Sequence, residues 1–236
     1  MKGRIVPAAL GALAAVLALG AGRASAATPD LSGVWMIEKP LNELRTSQGA
    51  TPPLNAKAAE TYQQHRAQLL ANDRSFDPTT RCISPGLPRI LTLAYPFKIF
   101  QSDRMVLFSF QWNRWFRYAK LTGEKQDPPY PMSMGTARGH WENDALVIET
   151  DGLRADNTLL DGAGMPHSES LHLIERLKLV SGDTLEDRIT VSDPETFTGD
   201  WETILRFKRQ PSNTEISEDV CYDRTDKGEP AVKGAS

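Results

Sequence analysis

Two short motifs place a histidine two residues before a glutamate: His140-Trp141-Glu142 and His167-Ser168-Glu169. Side chains two positions apart on a β-strand lie on the same face, so each motif can bring an imidazole beside a carboxylate. The carboxylate orients the ring and raises its pKa, which suits acid–base chemistry near neutral pH. His167 is the stronger candidate because it follows a long loop, 151–166. The alternatives are two solvated surface pairs, or a metal site where the pairs meet across a barrel.

A third candidate is Glu175, which lies in an alternating apolar segment, residues 171–177. Alternation puts Glu175 on the same face as its leucine neighbours, and the same parity would turn His167 and Glu169 inward. An ionised carboxylate on an apolar face is costly unless it is paired. Glu175 is therefore interpreted either as a general acid or base with a raised pKa, or as half of a buried ion pair. Three arginines are considered as its partner: Arg114, Arg117 and Arg188.

Aromatic side chains cluster over residues 97–118: Phe97, Phe100, Phe108, Phe110, Trp112, Trp115, Phe116 and Tyr118. Such rings either fill the core of a small barrel or wall a cavity for one small apolar or aromatic molecule. Polar groups among the rings can hydrogen-bond to a carbonyl, carboxylate or phenol. We predict four substrate-binding residues: Arg114, Trp115, Tyr118 and His140.

Several common catalytic signatures are absent from the sequence. It has no Gly-x-Ser-x-Gly elbow, no phosphate-binding glycine loop and no dinucleotide fingerprint. It also lacks the metal-binding arrays His-Glu-x-x-His and paired Cys-x-x-Cys. We therefore expect no cofactor and no metal.

The chain begins with the pattern of a secretory signal peptide over residues 1–26. A basic start with Lys2 and Arg4 is followed by an apolar run and by the small-residue pattern Ala24-Ser25-Ala26. The apolar run is too short to favour a membrane span, although an uncleaved anchor is the alternative, and no later stretch is long enough. We expect a single mature domain over residues 27–236, periplasmic or secreted, as a monomer or weak dimer.

Removal of the signal peptide makes the chain more acidic. It takes away Lys2, Arg4 and Arg23 and no acid, so 24 basic residues face 30 acidic ones and the net charge is −6. The basic residues are interspersed with acids instead of forming a stripe. Nucleic-acid binding is therefore not expected.

Two cysteines, Cys82 and Cys221, remain in the mature chain. In an oxidising compartment we expect them to form one disulfide. The competing interpretation is two separate thiols, but neither lies beside a histidine or another cysteine that would suggest catalysis or metal binding.

The remaining pattern is one helix and many short strands. Asn55 is a plausible N-cap for a helix that runs to about Leu70. Strands are predicted over 30–37, 96–101, 105–110, 115–121, 137–142, 145–150, 168–180, 184–192 and 201–209, with Asn143-Asp144 and 181–183 as hairpin turns. Successive hairpins favour an all-β, antiparallel, up-and-down barrel with one N-terminal helix.

The first strand carries Gly33-Val34-Trp35, which resembles the start of lipocalin-like (calycin) barrels. That resemblance implies that Trp35 plugs one end of the barrel and that a basic residue from a late strand covers it. Arg206 is the expected counterpart.

A second resemblance, to a widespread family of exported bacterial proteins of unassigned function, covers most of the mature chain. The matching motifs are Arg81-Cys82-x-x-Pro85-Gly86-x-Pro88-Arg89-Ile90, Asn113-Arg114, Gly139-x-Trp141-Glu142-x-Asp144-x-Leu146-Val147 and Pro166-His167-Ser168-Glu169. Members usually carry His-Ser after a Met-Gly pair, where this chain has Met134-Gly135-Thr136-Ala137. Any role of that histidine is therefore missing or altered here.

Two functional hypotheses follow. The first is a cofactor-independent lyase, isomerase or hydratase acting on a small apolar or aromatic substrate. In it His167, oriented by Glu169, moves the proton, Glu175 is a further acid–base candidate, and Arg114 and Tyr118 stabilise charge on an oxygen. The second is a periplasmic binding or carrier protein that uses the same cavity without chemistry.

Overall fold

The structure is a computed structural model that describes Gly3, residues 28–123 and residues 130–232. All of the predicted signal peptide except Gly3 lies outside the described residues, so that prediction stays an expectation. No helix in the two described ranges is both long and apolar enough to cross a membrane.

In the described part of the chain, nine strands close into a barrel in chain order, which confirms the predicted fold class. The strands are β1 (Gly33–Ile37), β2 (Phe97–Gln101), β3 (Met105–Phe110), β4 (Phe116–Lys120), β5 (Thr136–Glu142), β6 (Ala145–Asp151), β7 (His172–Ser181), β8 (Thr184–Ser192) and β9 (Trp201–Arg209). The hairpin predicted at Asn143-Asp144 joins β5 to β6, and Asn143 takes the positive φ that such a turn uses.

Eight of the nine neighbouring strand pairs are antiparallel, as predicted, and the pair β4–β5 is parallel. A closed ring must contain an even number of direction reversals, so a ring of nine strands requires at least one parallel pair. The segment between β4 and β5 carries the chain back to the end of the barrel from which β4 started. The two strands share only the pairs Ala119–Ala137 and Lys120–Arg138.

Alternation along the strands separates the core from the surface. In β7 and β9 every second side chain is buried, and in β8 the inward positions include Leu185, Asp187 and Ile189. The interior around Phe97 is filled by rings, with centroids 5.0 Å away for Phe207 and 5.6 Å for Phe110. The centre of the barrel is thus a packed aromatic core in this region.

The predicted helix is α1 (Ala56–Leu70), and Asn55 caps it by accepting a hydrogen bond from the Ala58 N–H. Tyr62 of α1 donates to Asp161 Oδ2 over 2.8 Å, which joins the helix to the loop between β6 and β7. A second, short helix that the sequence patterns did not predict is α2 (Cys221–Thr225). Five residues are too few for a visible helical period.

Trp35 is fully buried on β1, and the basic residue that covers its ring is Arg209, not the expected Arg206. The Arg209 guanidinium lies 4.3 Å from the centre of the Trp35 ring and donates to backbone oxygens of Ser32 and Asp30. Arg209 pairs with Trp35 in the β1–β9 ladder. Arg206 has the opposite parity, so it points outward and pairs with Glu186.

Cys82 and Cys221 form the predicted disulfide, across 139 positions of sequence. It joins the loop after α1 to α2. Close to it, Asn113 accepts from the Cys221 N–H, and the Trp112 indole donates to the carbonyl of Ala231. The C-terminal segment is therefore held against the barrel by one covalent bond and several hydrogen bonds.

Reduction of this disulfide should lower the free energy of unfolding by about 4–5 kcal/mol, because the unfolded chain regains the freedom that the long loop had lost. For a domain of this size, the melting temperature should fall by roughly 10 °C or more. Calorimetry with and without reductant measures the effect, and the Cys82→Ser/Cys221→Ser variant is the control. Two titratable thiols in the unreduced, denatured protein would contradict the pairing.

Candidate functional site

A cleft of about 520 Å³ lies in the barrel wall between β4 and β5. The two strands pair only at the end of β4, so residues 115–118 lie beside the segment that leads into β5 without a strand ladder between them. The cleft is lined by Trp115, Phe116, Arg117, Tyr118, Lys120, Tyr130, Pro131, Met132, Ser133, Met134, Gly135, Thr136, Ala137, Arg138 and Arg154. The one parallel pairing thus opens the wall at this position.

The lining combines apolar surface with positive charge. Most of its surface is apolar and includes four aromatic rings and two methionines, and its four charged side chains are all cations. Arg138 pairs with Glu149, and Arg154 pairs with Asp156, in each case over 2.6 Å. These carboxylates are not part of the lining, so the cleft itself presents cationic and apolar groups.

Arg117 connects the cleft to a buried charged group. Its side chain is 3% exposed and donates to both carboxylate oxygens of Glu175, over 2.5 and 2.6 Å. Its guanidinium also lies 4.3 Å from the centre of the Phe108 ring. Glu175 therefore faces inward as predicted. Of its two interpretations, the buried ion pair is the one observed, and Arg117 is the partner. Arg114 and Arg188, the other two arginines considered, pair with carboxylates on exposed surface.

Asp187 completes this buried group, which we call the inner triad: Arg117, Glu175 and Asp187. Asp187 is 1% exposed, and as an ionised carboxylate it would meet no donor among the described residues. Burial, followed by the negative charge of Glu175, raises the pKa of Asp187 well above its usual range, whereas Arg117 opposes the shift. The two neighbouring carboxylates, Glu175 and Glu186, thus both oppose ionisation of Asp187.

His167 is buried, but it does not lie on a strand. The predicted strand from residue 168 begins four residues later, at His172, so parity does not place His167 beside Glu169. The two ring nitrogens lie 2.8 Å from Thr158 Oγ1 and 2.8 Å from the carbonyl oxygen of Ser168. Burial lowers the pKa of His167. Glu169 is exposed in a turn, and the catalytic roles of both residues stay predictions.

His140 and Glu142 form the predicted pair, with Nε2 and Oε1 3.0 Å apart, but they lie on the outer face of β5. Hydrogen bonds from Arg176 and then from His140 lower the pKa of Glu142. This arrangement is the solvated surface pair that the sequence left as an alternative. His140 is not among the cleft-lining residues.

The remaining predicted substrate-binding residues divide between the cleft and the surface. Trp115 and Tyr118 line the cleft. Arg114 does not, since its exposed side chain lies 3.0 Å from Glu218. Tyr118 points away from the barrel interior because its parity is opposite to that of Arg117. The substrate-binding roles of these residues stay predictions.

The long loop between β6 and β7 is anchored by Asp161. Its carboxylate accepts hydrogen bonds from the N–H groups of Leu44, Ala163 and Met165 and from the Tyr62 hydroxyl. Desolvation of this buried group raises its pKa despite these donors. This contact network fixes the loop against α1.

Sequence reasoning missed Asp187 and assigned no site residue to the segment 130–138. Asp187 carried a usable signal, because it alternates with Leu185 and Ile189 in the same way that Glu175 alternates with its leucines. For the segment 130–138, the long Pro- and Gly-containing loop 122–136 is a sign of a functional loop, but its place in the cleft depends on which strand β4 meets. No set of three or more His, Cys, Asp or Glu side chains within residues 28–123 and 130–232 is grouped to hold a metal ion.

Neither a family model nor a curated protein matches the chain. Similar solved structures include fatty-acid-binding protein 1 of Echinococcus granulosus, with 9% identity over 77% of this chain and 98% of that chain and a TM-score of 0.38. A Schistosoma mansoni fatty-acid-binding protein in complex with arachidonic acid has 12% identity, covers 76% and 96%, and has a TM-score of 0.35. The wild-type fluorescent protein UnaG has 12% identity, 76% and 97% coverage, and a TM-score of 0.36. At these low scores the likeness carries no argument about function.

Substitutions of the two acids of the inner triad should have opposite effects on the free energy of unfolding. Glu175→Gln should lower the free energy of unfolding by about 3–5 kcal/mol, because it leaves Arg117 buried without its counter-charge. Asp187→Asn should raise it at pH 7. The raised pKa of native Asp187 means that it keeps a proton that the unfolded chain releases. Its contribution to the free energy of unfolding therefore falls as the pH rises above about 4. Asparagine does not titrate, so the variant does not lose stability in this way.

Denaturant unfolding of both variants and the wild type, from pH 4 to pH 8, measures these differences. The gain from Asp187→Asn should shrink towards pH 4. A large loss of stability in Asp187→Asn at pH 7 would show that Asp187 is ionised and holds Arg117.

Proposed function

We propose that the protein binds a small apolar or aromatic molecule in the cleft between β4 and β5. One observation carries this proposal: a cavity of about 520 Å³ has a mostly apolar lining that includes four aromatic rings and two methionines. Pockets of this size and composition are typical of small-molecule sites. The packed interior around Phe97 makes the wall, not the centre of the barrel, the better place for a ligand.

The charges of the cleft favour neutral or anionic ligands over cationic ones. All four charged lining residues are basic. A ligand amine would find no carboxylate among the lining residues, whereas a carboxylate or phenolate oxygen could accept hydrogen bonds from an arginine. Arg154 forms an ion pair with Asp156, and Arg138 forms one with Glu149. The carboxylate of a ligand would therefore compete with one of these acids for the arginine.

We further propose that binding takes place outside the cytoplasm, in the periplasm or after secretion. Two features support this location: the signal-peptide pattern of residues 1–26, and the disulfide between Cys82 and Cys221. Disulfides persist mainly in oxidising compartments.

A cofactor-independent lyase, isomerase or hydratase is the second candidate function, and a single observation favours it. Arg117 belongs both to the cleft lining and to the inner triad, so a carboxyl group with a raised pKa, that of Asp187, lies one residue away from the cleft. His167 and Glu169, the predicted proton-transfer pair, do not line the cleft. Mass spectrometry of compounds that co-purify with the wild type and with Asp187→Asn distinguishes the two functions. Identical compounds indicate binding alone, whereas a precursor that accumulates only on the variant indicates chemistry.

Binding can be tested with two fluorescent aromatic probes, neutral N-phenyl-1-naphthylamine and anionic 1-anilinonaphthalene-8-sulfonate. Ser133→Trp should weaken the binding of both probes by roughly tenfold or more, because the indole occupies cleft volume that the ligand needs. Fluorescence titration gives the Kd values. A cationic aromatic probe should bind more weakly than the neutral one.

Ser212→Trp is the matched control, since Ser212 lies in the exposed turn after β9 and does not line the cleft. It should bind both probes as the wild type does. Equal affinity of the wild type and Ser133→Trp, with both proteins folded, would place the ligand elsewhere.

A further inference from the structure

The outer face of β2, β3 and β4 is unusually apolar for an exposed surface. Its outward side chains, which we call the apolar face, are Lys98, Phe100, Met105, Leu107, Ser109, Phe116, Tyr118 and Lys120. The exposed fraction of Phe116 is 61%, and those of Phe100 and Tyr118 are 46% and 45%. Contiguous exposed apolar surface of this kind marks an interaction site.

Strand register makes these residues one continuous surface. Phe100 lies opposite Leu107, and Leu107 lies opposite Tyr118, so one apolar row crosses all three strands. Beside this row, Phe100, Met105 and Leu107 wall a shallow hollow of about 320 Å³. The surface reaches the cleft, because Phe116 and Tyr118 belong to both.

The opposite side of the barrel has an outer face of a different kind. On β7, β8 and β9 the outward side chains form ion pairs: Arg176 with Glu142, Lys178 with Asp144, Arg188 with Glu202, and Arg206 with Glu186. That composition is typical of a surface that stays in water. The same barrel therefore has one solvated face and one apolar face.

The charges on the apolar face indicate its partner. Its only charged members are Lys98 and Lys120, and the Lys98 ammonium lies 4.9 Å from the centre of the Phe100 ring. The turn at its edge carries one acidic and one basic residue, Asp103 and Arg104. Lys98 gives this face a cationic group that complements an anionic surface. A symmetric dimer through this face would instead bring lysines of like charge together.

We propose that the apolar face docks on the surface of a membrane that contains anionic phospholipids. Aromatic side chains suit the boundary between headgroups and acyl chains, and each lysine near an anionic leaflet adds attraction. Docking would set the mouth of the cleft at the lipid surface. On the proposed binding function, an apolar ligand would then pass between membrane and cleft with little exposure to water.

Co-sedimentation with vesicles tests the proposal in the full-length mature chain. The wild type should bind phosphatidylcholine vesicles that contain phosphatidylglycerol roughly tenfold or more tightly than vesicles of phosphatidylcholine alone, and added salt should weaken this binding. Lys98→Glu should reduce the binding by roughly tenfold, and Phe100→Ser/Met105→Ser should reduce it by a similar factor. None of these three residues lines the cleft.

Matched controls lie on the solvated face, where Lys178 and Val180 are an exposed lysine and an exposed apolar residue of β7. Lys178→Glu and Val180→Ser should bind vesicles as the wild type does. Equal binding by the apolar-face variants and these controls would overturn the proposal. A shift of the apolar-face variants from dimer to monomer in sedimentation velocity, without loss of vesicle binding, would overturn it in favour of a second copy.

The binding of N-phenyl-1-naphthylamine by the same variants separates this proposal from the proposed function. Phe100→Ser/Met105→Ser should keep the affinity of the wild type for the probe while it loses vesicle binding. If the wild type binds the probe but not the vesicles, the membrane-docking proposal is overturned and the proposed ligand cleft is not. Vesicle binding by a wild type that fails to bind the probe would overturn the ligand cleft alone.

Discussion

A closed ring of nine strands cannot alternate in direction all the way round, and this constraint shapes the candidate site. One neighbouring pair must be parallel, and in this barrel it is β4–β5, which share only two residue pairs. A parallel neighbour requires the connecting segment to return to the starting end of the barrel. Residues 130–135, at the end of that return path, line the same cleft as residues 115–118 and form no strand ladder with them. The cleft, its aromatic lining and the access of Arg117 to it all follow from this single break in the antiparallel pattern.

The inner triad shows how an apolar interior tolerates three ionisable groups. Arg117 and Glu175 neutralise each other through a bidentate contact, which offsets much of the cost of burying two charges. A third charge would have no counter-charge, and burial together with the charge of Glu175 raises the pKa of Asp187 well above its usual range. With a proton on Asp187, the triad has no net charge. Because Arg117 also lines the cleft, a bound molecule that changes its hydrogen bonding would change the balance between the two carboxyl groups.

The outer surface of the barrel has two faces of different composition. Acidic and basic side chains alternate across β7–β9, where cross-strand pairs satisfy them in water. Rings and aliphatic side chains occupy the same outward positions on β2–β4. Phe116 and Tyr118 make the cleft and the apolar face one continuous surface. The proposed ligand site and the proposed docking surface are thus linked through the outward positions of a single strand.

Much of the local structure was determined by the sequence itself: the cap at Asn55, the Asn143-Asp144 turn, the inward side of Glu175 and the pairing of the two cysteines of the chain. The first three depend on neighbours a few positions away. For the cysteines, each has a single possible partner in the chain. Tertiary structure alone decided that Arg117 is the partner of Glu175, that Arg209 and not Arg206 covers Trp35, and that residues 130–138 face β4. A period of two fixes which face a side chain takes, but contacts across the barrel depend on strand order and register. Those are set by the closure of the whole ring, which no short stretch of sequence contains.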